Sequence, residues 1–346
     1  MTKRKTNKVL WLVAAGLVAV ALTVLGVALY RAWYDRKAPN FSGVQELYIY
    51  PHMEPAQIQD SLLASGKVLS PRSLRRVLRN VETLQVGHYV IDSTCSSMYV
   101  ARMLHKGWQT PVKLTLSGAI RTPGILARKV GAQMLADSAA IAAIACCDDS
   151  LAVYGVDSRQ LFTIIIPDTY QLLWTASPRE IFDRFKKERD AWWTAERVAA
   201  ARAQGLSPQE VSVLASIVDG ETRYVPEQPT IAGVYLNRLR TGMKLQADPT
   251  IAYCFDYQPR RILRWMLDTD SPYNTYKHYG LPPGPISCPP KSCLEAVLHP
   301  DSHNYIFFCA DPSFNGSHRF AATYSEHLQN ARAFQKALTA RQKAKK

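Results

Sequence analysis

The 346-residue sequence is short of acids: 28 Asp and Glu stand against 42 Lys and Arg, a formal net charge of +14. That imbalance admits nucleic acid, anionic lipid or an acidic polymer as a partner and does not choose among them. Charged residues are only 20% of the chain and apolar ones 47%, which argues against a disordered or fibrous protein. The 17 glycines are scattered, with no collagen-like period and no internal repeat. No zinc-finger, RNA-recognition or other nucleic-acid signature is present, so no nucleic-acid partner is expected. The seven cysteines lack the paired CxxC spacing of zinc or redox sites and read as buried structural residues, although Cys288 and Cys293 are close enough to pair in an oxidising compartment.

Long apolar runs are also scarce. One exists, VLWLVAAGLVAVALTVLGVALY from Val9 to Tyr30, and it carries no charge. At about 1.5 Å per residue it forms a helix about 33 Å long, against a hydrocarbon core of about 30 Å. It is longer than a signal-peptide core and leads into Tyr30, Arg31 and Trp33 rather than a small-residue cleavage site, so it reads as an uncleaved anchor. Lys3, Arg4, Lys5 and Lys8 precede it, favouring a cytoplasmic N-terminus. Ala139–Cys147 is too short to span. Residues 1–8 are then a cytoplasmic tail, 9–30 a single span, and the remainder lies outside the cytoplasm. The Arg72, Arg75, Arg76 and Arg79 run is threaded by Leu74, Val77, Leu78 and Val81, so it reads as the solvated face of a helix with an apolar back.

The outer part reads as an α+β protein. Residues 38–118 form a small module: strands at Glu46–Tyr50, Val86–Ile91 and Val112–Leu116, helices at Pro55–Ala64 and Ser96–Leu104. Residues 119–206 read as mostly helical, with an apolar run at Phe162–Ile166 and a helix from Pro178 to about Arg202, and 207–346 as a larger mixed α/β domain.

Chemistry enters at Ser207-Pro208-Gln209-Glu210, a capping box with proline at the first helical position. The helix continues as VSVLASIVDGETRY. At about 100° per residue Glu221 falls about 20° from Leu214, on the apolar face, while Asp219 falls about 140° away and is expected to be more exposed. A carboxyl among Leu, Ile and Val resists ionisation, which suits proton donation near neutral pH. The same glutamate is equally open to an ion pair with Arg223 or Arg238. Downstream, polar loops at Leu245–Thr250, Ser271–Tyr276 and Gly280–Ser287 offer uncharged donors and flat rings suited to a sugar, as well as to turns that bind nothing. His299, His303 and His318 lack the spacing of a metal set and read as hydrogen-bonded structural residues; no metal and no cofactor is expected.

These blocks, in order, resemble the endolytic murein transglycosylases of the MltG (YceG-like) family: LASIVDGET at 214–222, VYLNRL at 234–239, GMKLQADPT at 242–250, YNTY at 273–276 and GLPPGPI at 280–286. Ala296–Pro300, Tyr305–Phe308 and Pro167–Tyr170 also fit. The resemblance implies an inner-membrane, single-pass enzyme whose periplasmic part cuts nascent peptidoglycan strands, with a LysM-like fold at 38–118, a catalytic domain at 207–346, and possible contact with cell-wall synthesis proteins. The family's Glu-x-Glu-Thr stands here as Asp219-Gly220-Glu221-Thr222, which assigns the catalytic role to Glu221. Gly220 lowers helix propensity and is expected to loosen the segment. The resemblance further implies that the substrate's own C6 hydroxyl is the nucleophile, leaving 1,6-anhydro-muramyl ends, so that one carboxyl serves as acid and then base. Asn237, Gln246, Tyr273, Asn274 and Thr275 are the expected substrate-holding residues; Asp248 is either a further contact or a turn. A silent glycan-binding scaffold and a lysozyme-like hydrolase are the rival readings.

Overall fold

The computed structural model describes residues 2–259 and 261–343, with side chains from Leu10 onward. The chain divides into two compact units, residues 1–113 with 171–175, and 114–170 with 176–346.

In the first unit the order is α1 (Thr2–Lys37), β1 (Gln45–Ile49), α2 (Pro55–Ala64), α3 (Pro71–Leu78), β2 (Gly87–Ile91) and α4 (Ser97–Lys106), followed by β3 (Val112–Thr115). β1 and β2 pair antiparallel, Gln45 opposite Ile91. The core gathers Phe41, Leu47, Ile49, Leu62, Leu74, Tyr89, Ile91 and Leu104. The apolar stretch of α1 is exposed along its length, and the helix runs without a break beyond the expected span. Its last turns pack on α3 and α4. Asp35 is buried there, accepting from Ser73 Oγ at 2.5 Å and from Arg76 Nε and Nη2 at 2.7 and 2.6 Å. Ser73 Oγ meets Ser97 Oγ at 2.8 Å, and Asn40 Nδ2 donates to Ser97 Oγ at 2.8 Å. A buried carboxylate with a bidentate guanidinium and a hydroxyl has its lone pairs satisfied, so this end of α1 is fixed in direction.

The second unit continues with α5 (Pro123–Gly131), α6 (Ser138–Ala145), α7 (Asp148–Ala152), β4 (Thr169–Leu172), α8 (Pro178–Trp192), α9 (Ala195–Ala203), α10 (Pro208–Glu221), α11 (Gln228–Arg240), α12 (Asp248–Cys254), α13 (Lys291–Leu298), β5 (Phe307–Ala310), β6 (His318–Ala321) and α14 (Tyr324–Lys343). The single helix expected from Pro178 to Arg202 is two, because Thr194 Oγ1 accepts from Arg197 N and caps a new start at Ala195. The Phe162–Ile166 run begins inside a short 3-10 helix at Ser158–Thr163 and continues as buried irregular chain. Sheet content is low, three two-stranded pairs among the described residues.

α10 is the central element. Its capping box forms as the sequence predicts: Ser207 Oγ accepts from Glu210 N at 3.3 Å and Ser207 N donates to Glu210 Oε2 at 2.8 Å. Every residue from Val211 to Asp219 is buried, because α9, α11, α12 and α13 pack around the helix. A helix apolar nearly all round is a core helix, and only its first and last turns reach solvent.

Candidate active site

The end of α10 opens into a pocket of about 380 Å³. It is lined on one wall by Ser216, Asp219, Gly220 and Glu221, on another by Asp248, Pro249 and Ala252 of α12, and further round by Arg121, Tyr257, Arg261 and the Ile286-Ser287 segment. Two devices bring these walls together. Ile286 N donates to Ser216 Oγ at 3.0 Å, pinning the proline-rich loop to α10. At Gly220 a Cβ would lie 2.5 Å from Pro249 Cβ, so the glycine is there to let α12 touch α10. The expectation that Gly220 loosens the helix is therefore corrected: it marks a close approach.

Gly220→Ala is accordingly expected to destabilise the fold by about 1–3 kcal/mol through overpacking, where an exposed mid-helix site would gain up to about 1 kcal/mol from the same change. Urea unfolding of the two proteins measures this; a stabilised variant would contradict the close approach.

Glu221 sits on the apolar side of the last turn, as its phase predicts. Neither expected arginine pairs with it: Arg223 approaches Asp219 Oδ1 at 3.4 Å, and Arg238 donates to the Ile306 and Leu245 carbonyls, both at 2.7 Å. Its hydrogen-bond partner is Tyr235 of α11, whose hydroxyl donates to Oε1 at 2.5 Å. Burial pushes the Glu221 carboxyl up to about 7; the Tyr235 hydrogen bond opposes that, the Asp248 charge adds to it, and Arg238 opposes it more weakly. The second carboxyl oxygen, Oε2, is left to carry the proton.

Asp219 departs from the expectation of exposure. It is 6% exposed, covered by the Ile286-Ser287 segment, whose Ser287 Oγ donates to its Oδ2 at 3.4 Å. Burial holds its carboxyl above the ordinary value against the pull of Arg223. Asp248 was expected as either a further contact or a turn. It opens α12 and it faces the pocket, accepting from Tyr276 Oη at 2.6 Å.

The remaining expected contacts are not among the residues that line the pocket. Asn237 Nδ2 donates to the His303 and Tyr305 carbonyls at 2.9 and 3.0 Å, fixing that loop on α11. Asn274 is fully buried, donating to the Leu267 and Thr269 carbonyls at 2.9 and 2.7 Å. Thr275 Oγ1 accepts from Ala247 N and meets Thr250 Oγ1, both at 2.9 Å. Tyr273 is buried with its ring 4.5 Å from that of Tyr253. Gln246 is exposed with φ +49°, its backbone N bonded to the Thr275 carbonyl, and does not line the pocket. The Asn237, Asn274 and Thr275 side chains satisfy backbone groups, and the Thr275 bond to Ala247 N holds the turn that leads into Asp248. His303 Nε2 meets the Thr230 carbonyl and its Nδ1 accepts from Tyr305 N, while His318 pairs with Glu227 at 2.8 Å.

Sequence reasoning missed Tyr235, Tyr276, Tyr257 and Arg121. Tyr235 and Tyr276 lie inside motif blocks that the resemblance had flagged. Arg121, stacked 4.5 Å over the Tyr257 ring, is about a hundred residues from Glu221, and no periodicity links them.

Residues 47–333 match the YceG-like family. Over 122 residues, 35% of this chain, it is 41% identical to an endolytic murein transglycosylase of Bacillus subtilis. Over 282 residues, 73% of this chain, it is 26% identical to an endolytic murein transglycosylase of Streptococcus pneumoniae. The matched parts are 33% of the Bacillus protein and 51% of the Streptococcus protein. A crystal structure of a YceG-like protein from Listeria monocytogenes superposes on 83% of this chain and 98% of its own with a TM-score of 0.55 at 25% identity. Family match, relatives and fold agree: the chain belongs to the YceG-like family.

Proposed function

We propose that this chain is a membrane-anchored lytic transglycosylase that cuts peptidoglycan strands internally, between N-acetylmuramate and N-acetylglucosamine, with Glu221 as both acid and base. The observation that carries the reading is one carboxyl, held near neutral pKa by burial and oriented by Tyr235, at the edge of a polar pocket. In the first step Glu221 Oε2 delivers its proton to the glycosidic oxygen as the bond to the muramyl C1 breaks, and positive charge develops on that sugar. The Asp248 carboxylate, held by Tyr276, faces that charge across the pocket. In the second step the Glu221 carboxylate takes the proton of the C6 hydroxyl as its oxygen closes on C1, giving the 1,6-anhydro end and restoring the acid. No water is consumed. On this reading residues 9–30 span the inner membrane with the N-terminus in the cytoplasm, 38–118 form a LysM-like module, 207–346 the catalytic part in the periplasm, and cell-wall synthesis proteins are its partners.

A second reading has one specific support: Asp248 shares the pocket with Glu221, and two carboxylates are what a lysozyme-like hydrolase uses. Digesting glycan strands with the full-length protein in heavy-oxygen water separates the two. Anhydro ends free of label are expected. Reducing ends carrying one heavy oxygen would establish the hydrolase, and undigested strands the silent scaffold.

A further inference from the structure

We propose that a groove in the first unit, where α1 leaves its apolar stretch, binds the phosphate headgroup of an anionic phospholipid. The inference rests on the reading of α1 as a membrane span. The groove holds about 540 Å³ and lies between the last turns of α1, α3 and α4. Its walls divide by chemistry. Val77, Val81, Met98 and Ala101 form an apolar side, and Arg36, Arg76 and Arg102 bring guanidinium groups to the other. Asp35 is already saturated by Arg76 and Ser73, so Arg36 and Arg102 are the cations left for a ligand, with Glu82 the acid that opposes them.

Height along α1 chooses the ligand. The groove's lining begins at Ala32 and reaches Arg36, about 3–9 Å beyond Tyr30 at about 1.5 Å per residue. Headgroups occupy roughly the first 5–8 Å outside the hydrocarbon core. An amphipathic cleft at that depth presents its guanidinium groups to lipid phosphates and its apolar wall to the upper acyl chain. The surrounding charge agrees. Arg31 and Lys37 on α1, Arg72, Arg75 and Arg79 on α3 are all exposed. These cations stand on the side of the span where the positive-inside rule does not ask for them. Guanidinium is the group suited to bidentate phosphate recognition.

The test uses the full-length protein reconstituted in nanodiscs with equal mole fractions of phosphatidylglycerol and phosphatidylcholine, then released into native mass spectrometry to count retained lipids. Each cation near a surface of anionic lipid contributes about 1 kcal/mol, roughly fivefold. Wild type is expected to keep phosphatidylglycerol over phosphatidylcholine by about tenfold, the Arg36→Gln/Arg102→Gln pair to lose that preference, and the Arg36→Lys/Arg102→Lys pair to retain part of it. Equal retention of both lipids by wild type overturns the proposal. So does a preference that survives the Gln pair but vanishes when Lys3, Arg4 and Lys5 are neutralised, which would place the lipid at the other flank. Displacement of the lipid by millimolar inorganic phosphate would assign the groove to a free anion and equally overturn it. Resistance of the wild-type chain to alkaline carbonate extraction tests the span separately. Its loss removes the anchor and the groove's ligand together, whereas resistance with no lipid preference rejects the groove alone.

Discussion

Replacing Glu221 by Gln is expected to lower the rate at which new chain ends form by about 10²–10⁴-fold, the usual worth of a positioned general acid or base. Here one side chain is asked for both proton transfers, so the loss belongs at the upper part of that range. The replacement is nearly isosteric. Gln can still accept from Tyr235 through its carbonyl oxygen, so the pocket keeps its shape while the transferable proton is gone. Quantifying anhydro-muramyl ends by mass spectrometry after matched digestions gives the ratio directly. Wild-type and variant traces that coincide would remove Glu221 from the mechanism. Because the first step needs the protonated carboxyl, wild-type cleavage should also decline as pH rises through about 7, the value to which burial raises this group.

The same substitution has a second effect, on stability and of opposite sign. A carboxyl ordinarily near 4.5 that is raised to about 7 in the folded chain binds its proton more tightly folded than unfolded. Below pH 4.5 both states are protonated and the group's contribution is fully present; as pH rises to about 7 the unfolded state releases its proton first and that contribution is lost. The shift corresponds to about 3 kcal/mol. Glu221→Gln has no such proton to lose. The variant's melting temperature should therefore match the wild type's near pH 4 and exceed it by pH 8, with the gap opening between those values. A gap that stays flat with pH would mean that Glu221 is not held in a desolvated site. A fold that melts more easily for the sake of one buried acid shows the ordinary trade between activity and stability.

Local signals in the sequence read well. Ser207 and Glu210 specify their capping box because both partners lie within one turn, and Pro55–Ala64 is found at the bounds its proline and Ser-Gly stop predict. The phase of Glu221 held because the turn it ends has one apolar side and one open side. The same arithmetic misplaced Asp219, since helical phase states which way a side chain points but not how many neighbours surround the helix. Asn237 on α11 and Asn274 and Thr275 in their loop bond to the chain's own backbone, and a sequence does not say whether such groups serve a ligand or the backbone. Asp248 was legible as the start of a turn or helix, and it opens α12 while lining the pocket. Arg121 was not legible, because its place in the pocket depends on how distant segments pack.

The way α1 ends has a mechanical consequence. A hinge of glycines after a span would let an outer module wander over a hemisphere limited by its leash. α1 instead runs unbroken into a buried carboxylate-guanidinium clamp at Asp35 and Arg76, so the first unit stands on its helix as a sign stands on a post. With the helix seated in a bilayer, that unit keeps one altitude and drifts only sideways with the lipid. On the proposed function, its encounter with a polymer laid down beside the membrane is then a search in two dimensions, at a height the helix length has already chosen.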